Sequence, residues 1–249
     1  MKTQLVTALA VGLLFGAGAS RADDQAQAKA LLDKAIKAMN GEAKLAKLGT
    51  ASLKTKITSK AGNEEIALGV DGTWQGMSQY RADVDVQVGA RNFKGVMVVN
   101  GAKGWLKRME RTEEAPAGLA EFIQNLFHAA RMPVLLPALA DKAYTPTILA
   151  EVKVGDRPAL GVLFSHKERK DVSLYFDKES GLLLKSEVRL ADPQGKEITI
   201  ECVFRDYKDF DGVKLCAKIG IKLDDQDFTA ELTEIKPVEK VDASQFEKP

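Results

Sequence analysis

The sequence predicts an α+β chain, mainly antiparallel β, whose sheet curves strongly into a half-barrel closed by short helices. Three observations carry this. Segments with a period of two recur from about Thr50 to Leu232, most of them joined by turns short enough for antiparallel neighbours. Helical spacing occurs only near the N-terminus and between Pro116 and Ala140. Strands lie about 4.8 Å apart, so roughly ten of them would make a flat sheet nearly ~50 Å wide, while one helix covers a band of about 10 Å. A sheet so poorly covered curls around itself, leaving a concave face lined by side chains.

The first segment reads as an address. Lys2 gives a positive start, Leu5 to Ala17 is an apolar run, and Ser20-Arg21-Ala22 offers a small-x-small cleavage site, with Ala17-Gly18-Ala19 as a competitor. Residues 1–22 are thus expected to be a secretory signal and residues 23–249 a single domain. The apolar run is shorter than the roughly 20 residues of a membrane-spanning helix, and no later segment is longer. The only cysteines, Cys202 and Cys216, lie far from the signal's end, where a lipid-anchored protein would need one. A soluble exported protein is expected, periplasmic in a bacterium. Cleavage would remove Lys2 and Arg21 from 36 basic residues and none of 35 acidic ones, a balance of minus 1 that argues against nucleic acid as a partner.

From Gln25 to Met39, Ala28, Leu31, Leu32, Ala35 and Met39 follow helical spacing, Asp23 or Asp24 offers an N-cap, and Asn40-Gly41 a stop. Glu42 to Leu48 reads as a further short helix. Then Leu53, Thr55 and Ile57 alternate with lysines and threonine, and Ile66, Leu68 and Val70 form a strand ending at an expected Asp71-Gly72 turn. Tyr80 to Val88 alternates with Arg81, Asp83, Asp85 and Gln87. Phe93 to Val99 and Gly104 to Met109 flank Asn100-Gly101, a hairpin signal because both residues tolerate positive φ. Lys107 to Glu114 reads as a solvated charged loop.

Between Pro116 and Ala140, Leu119, Phe122, Ile123, Leu126, Phe127 and Ala130 fall at helical intervals, and Pro133 and Pro137 divide the remainder into short pieces. This insertion suits a lid over the concave face, or a fixed plug. Strands resume at Ile148 to Val154, Leu160 to His166, Val172 to Phe176, Leu182 to Leu190, Ile198 to Phe204, Val213 to Ile221 and Phe228 to Ile235.

Chemistry-bearing clusters are sparse. His128 and His166 have no cysteine near them in sequence, so neither a triad nor a zinc site is supported. Asp83 and Asp85, and Asp224, Asp225 and Asp227, read as solvated strand and turn charges, since the second group lacks the oxygen spacing of a calcium loop. Cys202 and Cys216 occupy neighbouring strands, where export permits a disulfide, but strict alternation sets Cys216 on the lysine-bearing face opposite Cys202. Candidate ligand-binding residues are Trp74, Tyr80, Phe93, Trp105, Phe122, Ile123, Leu126 and Phe127. No catalytic residue, metal ligand or cofactor is nominated.

Three stretches, Tyr175-Phe176-Asp177-Lys178-Glu179-Ser180-Gly181-Leu182, Phe210-Asp211-Gly212-Val213-Lys214-Leu215 and Val241-Asp242-Ala243-Ser244-Gln245-Phe246-Glu247-Lys248-Pro249, together with the order of elements, resemble the periplasmic lipoprotein-carrier superfamily typified by LolA and LolB. Cys216 departs from it, standing where relatives often carry proline. The resemblance implies a curved half-barrel closed by helices, with an apolar interior that receives acyl chains. It also implies a lid-locking arginine, for which Arg81, Arg91, Arg108 and Arg131 are candidates. The expectation is a monomeric carrier or chaperone for a lipid or an acylated lipoprotein, not an enzyme. The alternative is a packed sheet that serves as an envelope-sensor or interaction module for a protein partner, without lipid cargo.

Overall fold

The computed structural model describes residues 16–61, 64–116 and 118–249. Helices α1 (Gly16–Ala38) and α2 (Glu42–Lys47) lead into six strands: β1 (Thr50–Ala61), β2 (Glu64–Gln75), β3 (Gln79–Val88), β4 (Arg91–Asn100), β5 (Lys103–Arg108) and β6 (Arg111–Glu114). Helices α3 (Leu119–Ala130) and α4 (Met132–Leu135) come next, with a 3₁₀ turn over Leu136–Ala140. The chain then forms β7 (Tyr144–Ile148), β8 (Val152–Val154), β9 (Arg157–His166), β10 (Arg169–Asp177), β11 (Leu183–Ala191), β12 (Glu197–Phe210), β13 (Val213–Leu223) and β14 (Gln226–Pro237), and a last 3₁₀ turn at Ala243–Phe246.

The fourteen strands among the described residues belong to one antiparallel sheet in the order β6-β5-β4-β3-β2-β1-β14-β13-β12-β11-β10-β9-β7, with β8 also on β9. Two meanders, β1 to β6 and β9 to β14, meet where β1 pairs with β14. The sheet is open, with β6 and β7 at its ends, and it curves. Helix α3 shows how much: it touches β4 and β5 on one side and β11 and β12 on the other. Between β4 and β12 lie six strand spacings, about 29 Å if the sheet were flat. A helix about 10 Å across reaches both only because the sheet bends around it.

The helices bury one face each. Ala28, Leu32 and Ala35 of α1, with Met39 just past its end, join Phe164, Leu174, Phe176 and Leu183 in the main core. Val98 and Val99, adjacent on β4, point to opposite faces as strand geometry requires. Val99 packs with Ala120 and Ile123 of α3, whereas Val98 packs with Val241 and Phe246 of the C-terminal tail. At the β12–β13 turn, Asp211 and Gly212 both hold positive φ (51° and 82°), the conformation that the Asp-Gly pair tolerates. In the Asp177–Gly181 turn the buried Asp177 carboxylate accepts hydrogen bonds from the Ser180 amide and hydroxyl at 2.6 and 2.7 Å and pairs with Arg157 at 2.9 Å.

Several expectations need correction. The signal segment lies in large part outside the described residues, and α1 already begins at Gly16, so Asp23 and Asp24 lie within the helix and do not cap it. The Asp24 carboxylate instead lies 3.4 Å from the Ile148 amide. Asp71-Gly72 is not a turn: β2 runs through it to Gln75 and turns at Gly76-Met77-Ser78. Gly72 is there for space, since a Cβ would stand 3.0 Å from the Tyr80 hydroxyl and 3.4 Å from Leu53. The Lys107–Glu114 stretch forms the end of β5 and edge strand β6, paired as a hairpin about Met109-Glu110, with charged side chains suited to a solvated sheet edge. The strand expected over Ile148–Val154 is two strands, β7 and β8, that pair with different parts of β9.

Candidate functional site

The concave face of the sheet and the α3–α4 segment enclose a cavity of about 310 Å³. Its walls come from both meanders. Leu53 and Ile57 of β1, Leu68, Val70 and Trp74 of β2, and Ala82 and Val84 of β3 face Ile219 and Ile221 of β13 and Leu232 of β14; Leu126, Phe127, Ala130, Arg131 and Val134 form the roof. These strands bring alternate residues inward, so sequence positions nearly two hundred apart share one wall. Trp74 and Tyr80, paired across β2 and β3, close one end and are 1% and 5% exposed. Toward the other end Ile57, Leu68 and Val84 are half-buried, and the apolar lining continues outward through Val86 to Phe93 on the neighbouring strand.

The roof helix is tied down by polar contacts at three places. Gln124 donates to the Gly101 carbonyl in the β4–β5 turn. His128 Nε2 lies 2.6 Å from the Met77 carbonyl in the β2–β3 turn, and Ser186 Oγ donates to the Ala129 carbonyl at 2.9 Å. Burial, and then the neighbouring guanidinium groups of Arg131 and Arg169, push His128 down to about 4 against the opposing pull of the Met77 carbonyl. At neutral pH its ring is uncharged and donates Nε2–H to Met77.

Among the described residues, Arg131 is the only charged side chain lining the cavity. It is 8% exposed, and its Nε and Nη1 atoms have no hydrogen-bond partner among those residues. Its guanidinium lies 4.9 Å from the centre of the Trp74 ring. Burial lowers it to about 10, partly offset by Tyr80, so it stays charged at neutral pH. The other candidate arginines are elsewhere: Arg81 pairs with Asp83, Arg91 approaches Glu64 at 3.9 Å, and Arg108 is exposed.

Of the residues nominated from sequence, the fold brings Trp74, Tyr80, Leu126 and Phe127 to the cavity. The Tyr80 and Phe127 rings pack against each other, tilted by 34° with centroids 3.7 Å apart, joining wall to roof. Four nominated residues do not line it. Trp105 pairs with Val98 and therefore points to the convex face, under the C-terminal tail. Phe122 and Ile123 lie on the first turns of α3, where the helix sits directly on β4. Phe93 is 43% exposed, beyond the cavity's open end. Arg131 was one of four equivalent arginines in sequence, and only its position just past a strongly apolar helical stripe set it apart.

The remaining polar clusters have plainer roles. Asp83 is held by Arg81 through two hydrogen bonds on the wet face, and Asp224 pairs with Lys196. Among the described residues no group of three or more His, Cys, Asp or Glu side chains is placed to hold a metal ion. Both cysteines are free and buried. Cys216 lines the cavity and does not face outward: Leu215, Cys216 and Ala217 are buried in succession, so strict alternation does not hold along this part of β13. Cys202 stands opposite Ile221 and Cys216 opposite Tyr207, five positions apart along the ladder. Burial raises both thiols to about 12.

No family model matches the chain, and no curated protein matches it. Solved structures do. A LolA superfamily protein from Nitrosomonas europaea aligns over 89% of this chain and 97% of its own with a TM-score of 0.57 and 13% identity. A DUF1329 family protein from Desulfovibrio piger aligns over 88% and 97% with a TM-score of 0.56 and 12% identity. At such identities the likeness is one of fold, and the fold is LolA-like. No helix among the described residues is long and apolar enough to cross a membrane.

Proposed function

We propose that this chain, with its LolA-like half-barrel, binds a hydrophobic ligand, an acyl chain or lipid, between the concave face and the α3–α4 roof, and acts as its carrier. The observation that carries this reading is the cavity: its walls are apolar on all sides but one, and its volume of about 310 Å³ is at the small end of ligand sites. A protein interior is normally close-packed, so an apolar space of this size, continuous with a half-open mouth, is suited to a guest. Each methylene moved into it contributes about 0.8 kcal/mol, so a long chain binds tightly without polar recognition.

From Trp74 to Leu68 the cavity wall runs six residues along β2, about 20 Å. One acyl chain spans half of a bilayer's hydrocarbon core, about 15 Å. The trough therefore suits a single chain better than the several chains of a heavily acylated cargo. Native mass spectrometry of protein freed of lipid and then offered acyl-chain lipids is expected to show one bound chain per molecule. An empty protein under the same conditions counts against the carrier reading, and capture of a protein partner without lipid uptake would favour the interaction module.

We also propose that residues 1–22 direct export. The sequence features of that segment support it. N-terminal sequencing of the exported protein should begin within a few residues of Asp23; a retained Met1 would refute it.

A further inference from the structure

We infer that Arg131 is a head-group site, and that the ligand is a single-chain amphiphile carrying one carboxylate, of the fatty-acid class. The inference rests on the carrier reading and adds the chemistry of the ligand's polar end. A guanidinium buried with Nε and Nη1 unpartnered among the described residues is costly, because no acceptor there replaces its lost hydration. The Trp74 ring beneath it offers an electron-rich face but no lone pair in the guanidinium plane. Among the described residues, no carboxylate lines the cavity to neutralise it. The site thus holds one positive charge and unused donors at the closed end of an apolar trough.

A ligand that meets these conditions has an apolar body, one negative charge and oxygens that accept from a guanidinium. A carboxylate does so, and charge-assisted bonds to it are stronger than neutral ones. One carboxylate balances one arginine. A phosphate monoester brings about −1.5 to −2 charges, and among the described residues the cavity lining has no second cation to answer the excess. The direction of binding is set by the placement. The head lies deep, beside Trp74, Tyr80 and Arg131, and the tail runs along Val70, Leu68 and Ile57 toward the half-open end.

The test titrates full-length, lipid-free protein with laurate, methyl laurate and dodecyl phosphate, following Trp fluorescence and calorimetric heat. Wild type is expected to bind laurate at least about tenfold more tightly than methyl laurate. Arg131→Met should abolish this preference while leaving methyl laurate affinity within about threefold. Without ligand, Arg131→Met should melt no lower than wild type, since an unpartnered buried charge has been removed; this also shows that the variant folds. Equal affinities of wild type for acid and ester overturn the head-group site but leave the carrier reading standing. Tighter binding of dodecyl phosphate than of laurate overturns the carboxylate assignment. Failure to bind any of the three, or any other acyl lipid, overturns both readings.

Discussion

Replacing Trp74 by alanine is expected to destabilise the protein by about 4 kcal/mol, the cost of emptying a buried aromatic site that cannot collapse. Trp74 is 1% exposed and fills the closed end of the cavity, and its indole Nε1–H donates to the Leu48 carbonyl at 2.8 Å. That bond ties the segment after α2 to the end of β2. Alanine removes the packing and the donor together, and it also takes away the ring beneath Arg131. Collapse is resisted because β2 is paired on both sides along its length. Against an ordinary total stability of about 5–15 kcal/mol, the loss should be plain in urea unfolding. Trp74→Phe, which keeps a ring and loses the donor, should fall between the two proteins. A Trp74→Ala variant within about 1 kcal/mol of wild type would mean that the cavity end collapses after all.

Acid is expected to unfasten the roof through His128. Its folded pKa of about 4 lies below the ordinary 6.5. Below pH 6.5 the unfolded chain takes up a proton that the folded chain refuses until about pH 4, so the stabilisation is complete above 6.5 and is lost as pH falls through that window. At about 1.4 kcal/mol per pKa unit the loss amounts to about 3 kcal/mol by pH 4. Among the described residues, the charges facing the ring are those of Arg131 on the roof and Arg169 on β10, both cationic, and a protonated ring between them gains no carboxylate partner there. Carboxylates elsewhere also titrate in acid, so the comparison is with His128→Gln. Urea stability measured at pH 7 and pH 4.5 should fall by roughly 2 kcal/mol more in wild type than in the variant. Equal falls would remove His128 from the account.

The strand pattern was legible because alternation is local: Leu53-Thr55-Ile57 and Ala82-Val84-Val86 each point inward by the geometry of a single strand. The roof was legible for the same reason, through the helical spacing of Leu119, Phe122, Ile123, Leu126 and Phe127. What failed was anything that depended on a neighbour. Gly72 looked like a turn because its neighbour is aspartate, yet it serves to admit Tyr80. Trp105 and Trp74 are alike in sequence, and only cross-strand register sets one on the convex face and the other in the cavity. Cys216 lay on the wrong face by strict alternation because β13 buries Leu215, Cys216 and Ala217 in succession against its surroundings.

Local periodicity and a count of covering elements were enough to require an antiparallel sheet too wide for its helices, and with it curvature. Tertiary structure decided which apolar residues were left facing empty space. Whether a wall is filled depends on how far opposite strands stand apart after the sheet has bent around α3, and no single segment encodes that distance. The same holds for Arg131, whose chemistry comes from being carried by the roof into a place where, among the described residues, its Nε and Nη1 meet no acceptor.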